Sequence, residues 1–240
     1  MHGVIIAHDI IPATFLVREN KFLVTARMED DTTIQAFLAD PGRLKELLVP
    51  SCKVFLVKAS NPRNPRRKTS FDMVAVDHEG LIVSVDTRVP NRYVRRLLDE
   101  GYLFEGTFDG IRPEYPYKDS RIDFLAWKGD KKFLIEVKSV TLVENGIALF
   151  PDAPTTRGTR HVRELTNCRE DGYEPVLVFV IQRPDAVSFR PNDAIDPDFT
   201  SALVEAKRAG VTIKSFTSKT FIDGRENLCM EPLARVSLDF

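Results

Sequence analysis

Residues 120–140, SRIDFLAWKGDKKFLIEVKSV, read as two strands joined at Gly129-Asp130. Apolar residues alternate on both sides of this dipeptide, and glycine supplies the positive φ that a tight hairpin turn needs. With that turn Lys128 faces Lys131, and the same register sets Asp123 across from Glu136. Side chains alternate along a strand, so Ile122, Phe124 and Ala126 share a core face with Phe133, Ile135 and Val137. The opposite face carries Arg121, Asp123 and Leu125 beside Leu134, Glu136 and Lys138. Opposed like charges with Cβ atoms about 4.5–5.5 Å apart destabilise a strand pair unless positive charge lies between them. Two readings follow. In the first, a hard divalent cation resolves the repulsion. Mg²⁺ takes oxygen ligands at about 2.0–2.1 Å and is held by one or two carboxylates, waters and a phosphate. Lys138 then completes an Asp, Glu-x-Lys set. In the second, the two acids are exposed strand charges paired with Arg121 and Lys138. A longer loop or a bulge would move Asp123 off Glu136.

The rest of the chain limits the choice. At 240 residues and 43% hydrophobic it can bury one large core or two modest ones, and a change of pattern near residue 86 favours two. A net charge of −1 and a pI near 6.5 exclude a uniformly basic nucleic-acid binder, so a polyanion site must be a local patch. Cys52, Cys168 and Cys229 are far apart and odd in number, with no CxxC pair. They suit neither structural zinc nor a disulfide framework, and a reducing cytoplasm is expected. The N-terminal stretch has no basic segment before a long apolar core, and no window approaches the ~18 apolar residues of a membrane span. A soluble protein without a membrane partner is expected.

From Val4 to about Thr87, seven short runs have strand character: Val4 to Ile11, Thr14 to Arg18, Lys21 to Arg27, Thr32 to Leu38, Lys53 to Ala59, Ser70 to Val76 and Leu81 to Val85. One short helix is expected over Arg43 to Leu48, after Asp40-Pro41-Gly42. A small barrel with one helix between strands is consistent with an oligonucleotide-binding (OB) fold. Within this half, the run at 61–68, NPRNPRRK, has four cations and no acid. Its prolines make it an exposed loop, suited either to tracking a phosphate backbone or simply to solvation.

Beyond Asp86 helices and strands alternate. A helix is expected to open at an Asn91 cap and to close at Gly101. A strand over Thr107 to Tyr117, the hairpin, and a loop over Thr141 to Arg157 come next. Then follow a helix from about Gly158 to Glu170, a buried central strand Pro175 to Gln182, a helix from Asp196-Pro197 to Ala209, and a strand Val211 to Phe216. Mixed sheets flanked by helices fit this order.

Asp123 and Glu136-Val137-Lys138 lie where the PD-(D/E)xK nuclease superfamily carries its signature. Longer blocks sharpen the likeness: SRIDF (120–124), IEVKSVTL (135–142), FPDAPTTRG (150–158), then His161 and Glu164-Leu165, with PGRL (41–44) and NPRNPRRK (61–68). Together they resemble the sugar fermentation stimulation protein A family along nearly the whole chain. The resemblance implies an α/β (α+β) protein. Residues 1–86 would form a nucleic-acid-binding OB-like β-barrel, and residues 87–240 a PD-(D/E)xK restriction-endonuclease-like mixed sheet flanked by helices. It also implies non-specific DNA binding and, in bacteria, regulation of sugar (maltose) utilisation. Carried over residue by residue, Asp123, Glu136 and Lys138 would be catalytic, with Asp123 and Glu136 holding Mg or Mn. Glu114 matches a third acidic position. Its surroundings, Glu114-Tyr115-Pro116-Tyr117-Lys118, depart from the family's usual Glu-Val-Lys-Tyr-Gly, so a metal ligand and a surface acid both stand. Arg157, Arg160 and His161 lie at a loop-to-helix transition where free N–H groups favour anions. With Arg43, Arg63, Arg66, Arg67 and Lys68 they would meet nucleic acid. Otherwise His161 is structural, and the arginines pair with Asp152 and Glu164.

Three functions are then open. One is metal-dependent hydrolysis of DNA phosphodiester bonds, and another is a DNA-binding regulator that keeps the fold without cutting. The third, a glycosidase, needs one carboxyl kept protonated, whereas Lys138 beside both acids is expected to depress their pKa values.

Overall fold

The computed structural model of the protein describes residues 3–59 and 68–240. The first half supplies strands β1 (Val4–Ala7), β2 (Ile11–Asn20), β3 (Leu23–Met28), β4 (Thr33–Leu38), β5 (Lys53–Lys58), β6 (Phe71–His78) and β7 (Leu81–Ser84). Five of them close a barrel. Strand β2 pairs with β3 and β5, β3 with β4, and β5 with β6, and β4 closes the ring by running parallel to β6 from Ala36↔Phe71 to Leu38↔Met73. Period-two alternation fills it: Val24 and Ala26 of β3 and Ala36 and Leu38 of β4 point inward onto Val54, Leu56, Met73 and Val76. This is the OB arrangement, with fewer strands than the seven expected. Strand β1 leaves the barrel to pair with a strand near the C-terminus, Val4↔Met230, and β7 carries the sheet on from β6 into the second half of the chain, pairing Ile82↔Thr220. The expected helix over Arg43 to Leu48 is only one turn, in which the Leu47 and Leu48 N–H groups share the Leu44 carbonyl. Leu44 itself has φ of 49°, which is incompatible with a helix.

The second half contains α1 (Arg88–Asp99), β8 (Gly110–Tyr117), β9 (Ser120–Lys128), β10 (Lys131–Val140), β11 (Val143–Glu144), β12 (Ile147–Phe150), α2 (Thr156–Asn167), β13 (Tyr173–Ile181), β14 (Ser188–Pro191), α3 (Pro197–Arg208), β15 (Thr212–Ile222), β16 (Leu228–Arg235) and β17 (Ser237–Leu238). The strand order is β8-β9-β10-β13-β15-β7, with β10, β13 and β15 parallel. The apolar run PVLVFVIQ forms the central strand, buried on both faces as expected of a parallel-sheet core. Its Val176, Val178 and Val180 meet Tyr93, Val94 and Leu97 of α1. Its Leu177, Phe179 and Ile181 meet Val162 and Leu165 of α2 and Phe199 and Leu203 of α3.

Three local differences from the sequence reading bear on the site. The segment expected as a loop from 141 to 157 contains β11 and β12, which pair with each other and with β14. Helix α1 starts at Arg88, whose N–H is accepted by Asp86 Oδ1 at 2.9 Å, so Asn91 is not a cap but lies inside the first turn. Pro90 is tolerated there because first-turn N–H groups have no intrahelical acceptor. Strands β16 and β17 lie beyond the last strand expected from the sequence. Among the described residues no helix is long and apolar enough to cross a membrane.

Candidate active site

The hairpin register is the expected one from Lys128↔Lys131 to Phe124↔Ile135. The ladder stops there, one pair short of Asp123 and Glu136. On the other side β8 pairs Pro113↔Phe124 and then Tyr115↔Ile122, skipping Glu114. Glu114 has φ of 54°, and its carboxylate is exposed and lies 3.0 Å from Arg121 Nε. Strand β9 loses its alternation at this point. Phe124 packs in the α1-side core, whereas Ile122 packs with Leu134 on the α2 side, instead of sharing the face of Phe124 and Ala126.

The break frees the Asp123 carboxylate from the regular ladder. Its Oδ2 accepts the Val137 N–H at 2.7 Å and its Oδ1 accepts from Asn91 Nδ2 at 2.6 Å. Burial first, and the neighbouring Glu136 charge second, push its pKa up to about 7. Glu136 is 3% exposed, so neither acid is the exposed strand charge of the alternative reading. Its Oε1 accepts from Lys138 Nζ at 2.6 Å and from His161 Nδ1 at 2.6 Å. Burial opposes its ionisation, but Lys138 and the His161 hydrogen bond outweigh that, and its pKa lies below the ordinary carboxylate range. Glu136 Oε2 is buried without a hydrogen-bond partner among the described residues. Lys138 thus lowers both acids, as expected, but at Asp123 burial and the Glu136 charge outweigh it, so only Glu136 ends below its ordinary range.

His161 reaches Glu136 from α2. Thr155 caps that helix, its Oγ1 accepting the Gly158 N–H at 3.0 Å. A Cβ on Gly158 would meet the Thr155 side chain at 2.8 Å, so glycine is what lets the cap close. Arg157 Nε donates to His161 Nε2 at 3.3 Å. This makes Nε2 the acceptor and leaves the ring proton on Nδ1, facing Glu136.

These groups line a cleft of about 860 Å³ between the barrel and the mixed sheet, to which the barrel adds Arg18, Lys21, Arg43 and Lys45. Two contacts hold it together. Asp152 Oδ2 accepts the Leu44 N–H at 3.2 Å, and it lies so close to Gly42 that an added Cβ would sit 2.4 Å from it. Arg18 donates to the carbonyls of Lys21, Asp40, Gly42 and Arg43, tying the β2–β3 turn to the loop that carries Arg43.

Of the residues expected at the site, the structure gathers Asp123, Glu136, Lys138, His161, Arg157 and Arg43. Glu114 is held away on Arg121. Arg160 is bound to Ser120 Oγ at 3.4 Å and approaches Glu164 at 3.9 Å. Lys68 is exposed and does not line the cleft. Arg63, Arg66 and Arg67 lie outside the described residues. Asn91, Asp152 and Arg18 join the gathered residues. The Asn91 type suits a helix cap as well as a site, and nothing in the local sequence marks the other two as long-range anchors.

Family models match nearly all of this architecture: "SfsA N-terminal OB domain" over residues 16–85 and "Sugar fermentation stimulation protein RE domain" over residues 88–223. The chain belongs to the sugar fermentation stimulation protein family. The family's homolog from Moorella thermoacetica is 47% identical over 212 residues, covering 87% of this chain and 89% of its own. That from Ruminiclostridium cellulolyticum is 41% identical over 199 residues, covering 83% and 86%. The solved structure of Pyrococcus furiosus SfsA, described as a complex with Ca²⁺, shares the fold at a TM-score of 0.85 and 24% identity over 98% of this chain and 99% of that one.

The donor set suits a hard cation. It offers two adjacent carboxylates, one with a free buried oxygen and the other pushed up to about 7 by burial and then by its neighbour's charge. Among the described residues no three His, Cys, Asp or Glu side chains gather to hold a metal, so a cation here would rely on Asp123 and Glu136 plus waters. Mg²⁺-type sites commonly have that composition.

Proposed function

We propose that the cleft binds DNA without sequence preference and that Asp123 and Glu136 hold Mg²⁺ or Mn²⁺ for hydrolysis of phosphodiester bonds. The buried, unpartnered Glu136 Oε2 beside Asp123 carries this reading, and the Ca²⁺ of the archaeal relative supports an oxygen-coordinated cation in this fold. A bound cation would supply Lewis-acid charge at the phosphate and a water of lowered pKa. The chain's own residues do the rest. Asn91 and the Val137 N–H fix the Asp123 carboxylate, while His161, itself held by Arg157, fixes Glu136. Lys138 places a positive charge where negative charge develops on the reacting phosphoryl oxygens. Lys21, Arg43 and Lys45 offer charge to the flanking phosphates.

One observation favours a second reading, a DNA-binding regulator of sugar utilisation that does not cut. Lys138 already pairs with Glu136 Oε1 and His161 hydrogen-bonds the same oxygen, so the chain's own ammonium matches that carboxylate's charge. Incubation of supercoiled plasmid and single strands with Mg²⁺, Mn²⁺ or EDTA, beside Asp123→Ala, separates the two. Metal-dependent cutting lost in the variant supports hydrolysis, and intact DNA in every lane leaves the regulator. A binding measurement complements it: Mn²⁺ is expected to raise the melting temperature of the parent and not that of Asp123→Ala. An equal rise in both would place the cation elsewhere.

A further inference from the structure

On the outer face of the barrel, Phe22 sits at the β2–β3 turn with 46% of its surface exposed. It lies on Phe37 of β4, with ring centroids 6.1 Å apart and planes 19° from parallel. The Arg88 guanidinium stands 5.9 Å from the Phe37 centroid. The turn is held rigidly. The Phe22 N–H is accepted by Asn20 Oδ1 at 2.9 Å, its carbonyl accepts the Leu38 N–H at 3.0 Å, and Arg18 clamps the Lys21 carbonyl at 2.8 Å. A large aromatic ring is thus fixed half in water, next in sequence to Lys21, which lines the cleft with Arg43.

We infer that Phe22 is a base-stacking platform and that the cleft takes single-stranded nucleic acid, one base lying on Phe22 while the adjoining phosphates pass Lys21 and Arg43 toward Asp123 and Glu136. This rests on the reading of the cleft as a nucleic-acid site. A duplex keeps both faces of each base covered by its neighbours, so only an unpaired base offers a free face to the ring. Charge sets the direction. The β3–β4 turn at the other end of this face is acidic (Glu29, Asp30, Asp31), and Glu19 accepts a hydrogen bond from Thr25 between the two ends. Phosphates are therefore repelled from that end and drawn to the Lys21 end.

The test is fluorescence anisotropy in EDTA with a labelled single-stranded oligodeoxynucleotide and with the same strand as a duplex. Phe22→Ala is expected to weaken single-strand binding on the order of 5- to 150-fold, the range for loss of one base–aromatic stack, with duplex binding essentially unchanged. Phe22→Leu keeps apolar cover over Phe37 as a folding control and should lose affinity similarly. Phe22→Trp should restore it, with indole fluorescence quenched by the single strand. Lys21→Gln with Arg43→Gln should weaken both forms. If that pair weakens binding while Phe22→Ala leaves single-strand affinity at the parent value, the cleft reading stands and the stacking platform is overturned. A parent that binds neither form overturns both.

Discussion

Lys138→Met is expected to slow DNA cleavage about 10²–10³-fold, the usual cost of losing one electrostatic stabiliser, with DNA affinity close to the parent's. The geometry explains why the two effects separate. The Lys138 side chain is only 12% exposed and its ammonium is bound to Glu136 Oε1 at 2.6 Å, so it adds little to the surface charge that attracts phosphate at long range. In the proposed hydrolysis its value would lie in the charge it presents once phosphoryl oxygens become more negative. Methionine keeps the stem packed on β10, and His161 still binds Glu136 at 2.6 Å, so the fold should survive, as circular dichroism can confirm. Single-turnover rates and anisotropy on the same protein samples measure the separation. A variant that cuts as fast as the parent removes Lys138 from the chemistry. A purified parent that cuts no nucleic acid with any divalent cation leaves the DNA-binding regulator.

The part of this site legible in the sequence was the part set by local geometry. Gly129-Asp130 fixed a turn, the turn fixed a register, and the register held from Lys128↔Lys131 to Phe124↔Ile135. What failed was the extrapolation by one further pair. The cause lies on a third strand, where Glu114 turns to positive φ opposite Asp123, and no feature of the hairpin itself reports it. The barrel repeats the lesson. Strand propensity located β1 and β7 but not their partners, because Val4 pairs with Met230 and Ile82 with Thr220, and propensity carries no information about partners so distant in sequence. Asn91 looked like a cap because Asn is a good one. Asp86, a few residues upstream, accepts the Arg88 N–H instead, which leaves the Asn91 amide free to hold Asp123.

In EDTA the protein is expected to lose stability as the pH rises from about 4 to about 8, and its apparent affinity for Mn²⁺ is expected to fall about 50-fold between pH 7 and pH 5. Both follow from buried carboxyls held protonated. Asp123 is pushed up to about 7 by burial and Glu136. Asp40, on the barrel side of the cleft, is also pushed up to about 7, by burial and then, against the Gly42 N–H bond, by Asp152. An acid whose folded pKa exceeds its unfolded value near 3.9 binds more protons when folded between those pH values. Its stabilising contribution is therefore complete below about 4 and lost as pH passes 7. Each group contributes on the order of a few kcal/mol at most, since a shift of one unit is about 1.4 kcal/mol. Binding of a cation at the proposed Asp123 site would require the Asp123 proton to leave, which would cost about tenfold in apparent affinity per pH unit well below 7. The two acids can be told apart. Saturating Mn²⁺ should flatten the Asp123 part of the stability profile and leave the Asp40 part, whereas Asp40→Asn, which can still accept the Gly42 N–H, should remove only the latter. Urea melts from pH 4 to 9 with EDTA or Mn²⁺, and calorimetric titration with Mn²⁺ at pH 5 and 7, read both quantities. A metal affinity independent of pH across that interval would mean that Asp123 gives up no proton when the cation binds, and would overturn the raised pKa on which both expectations rest.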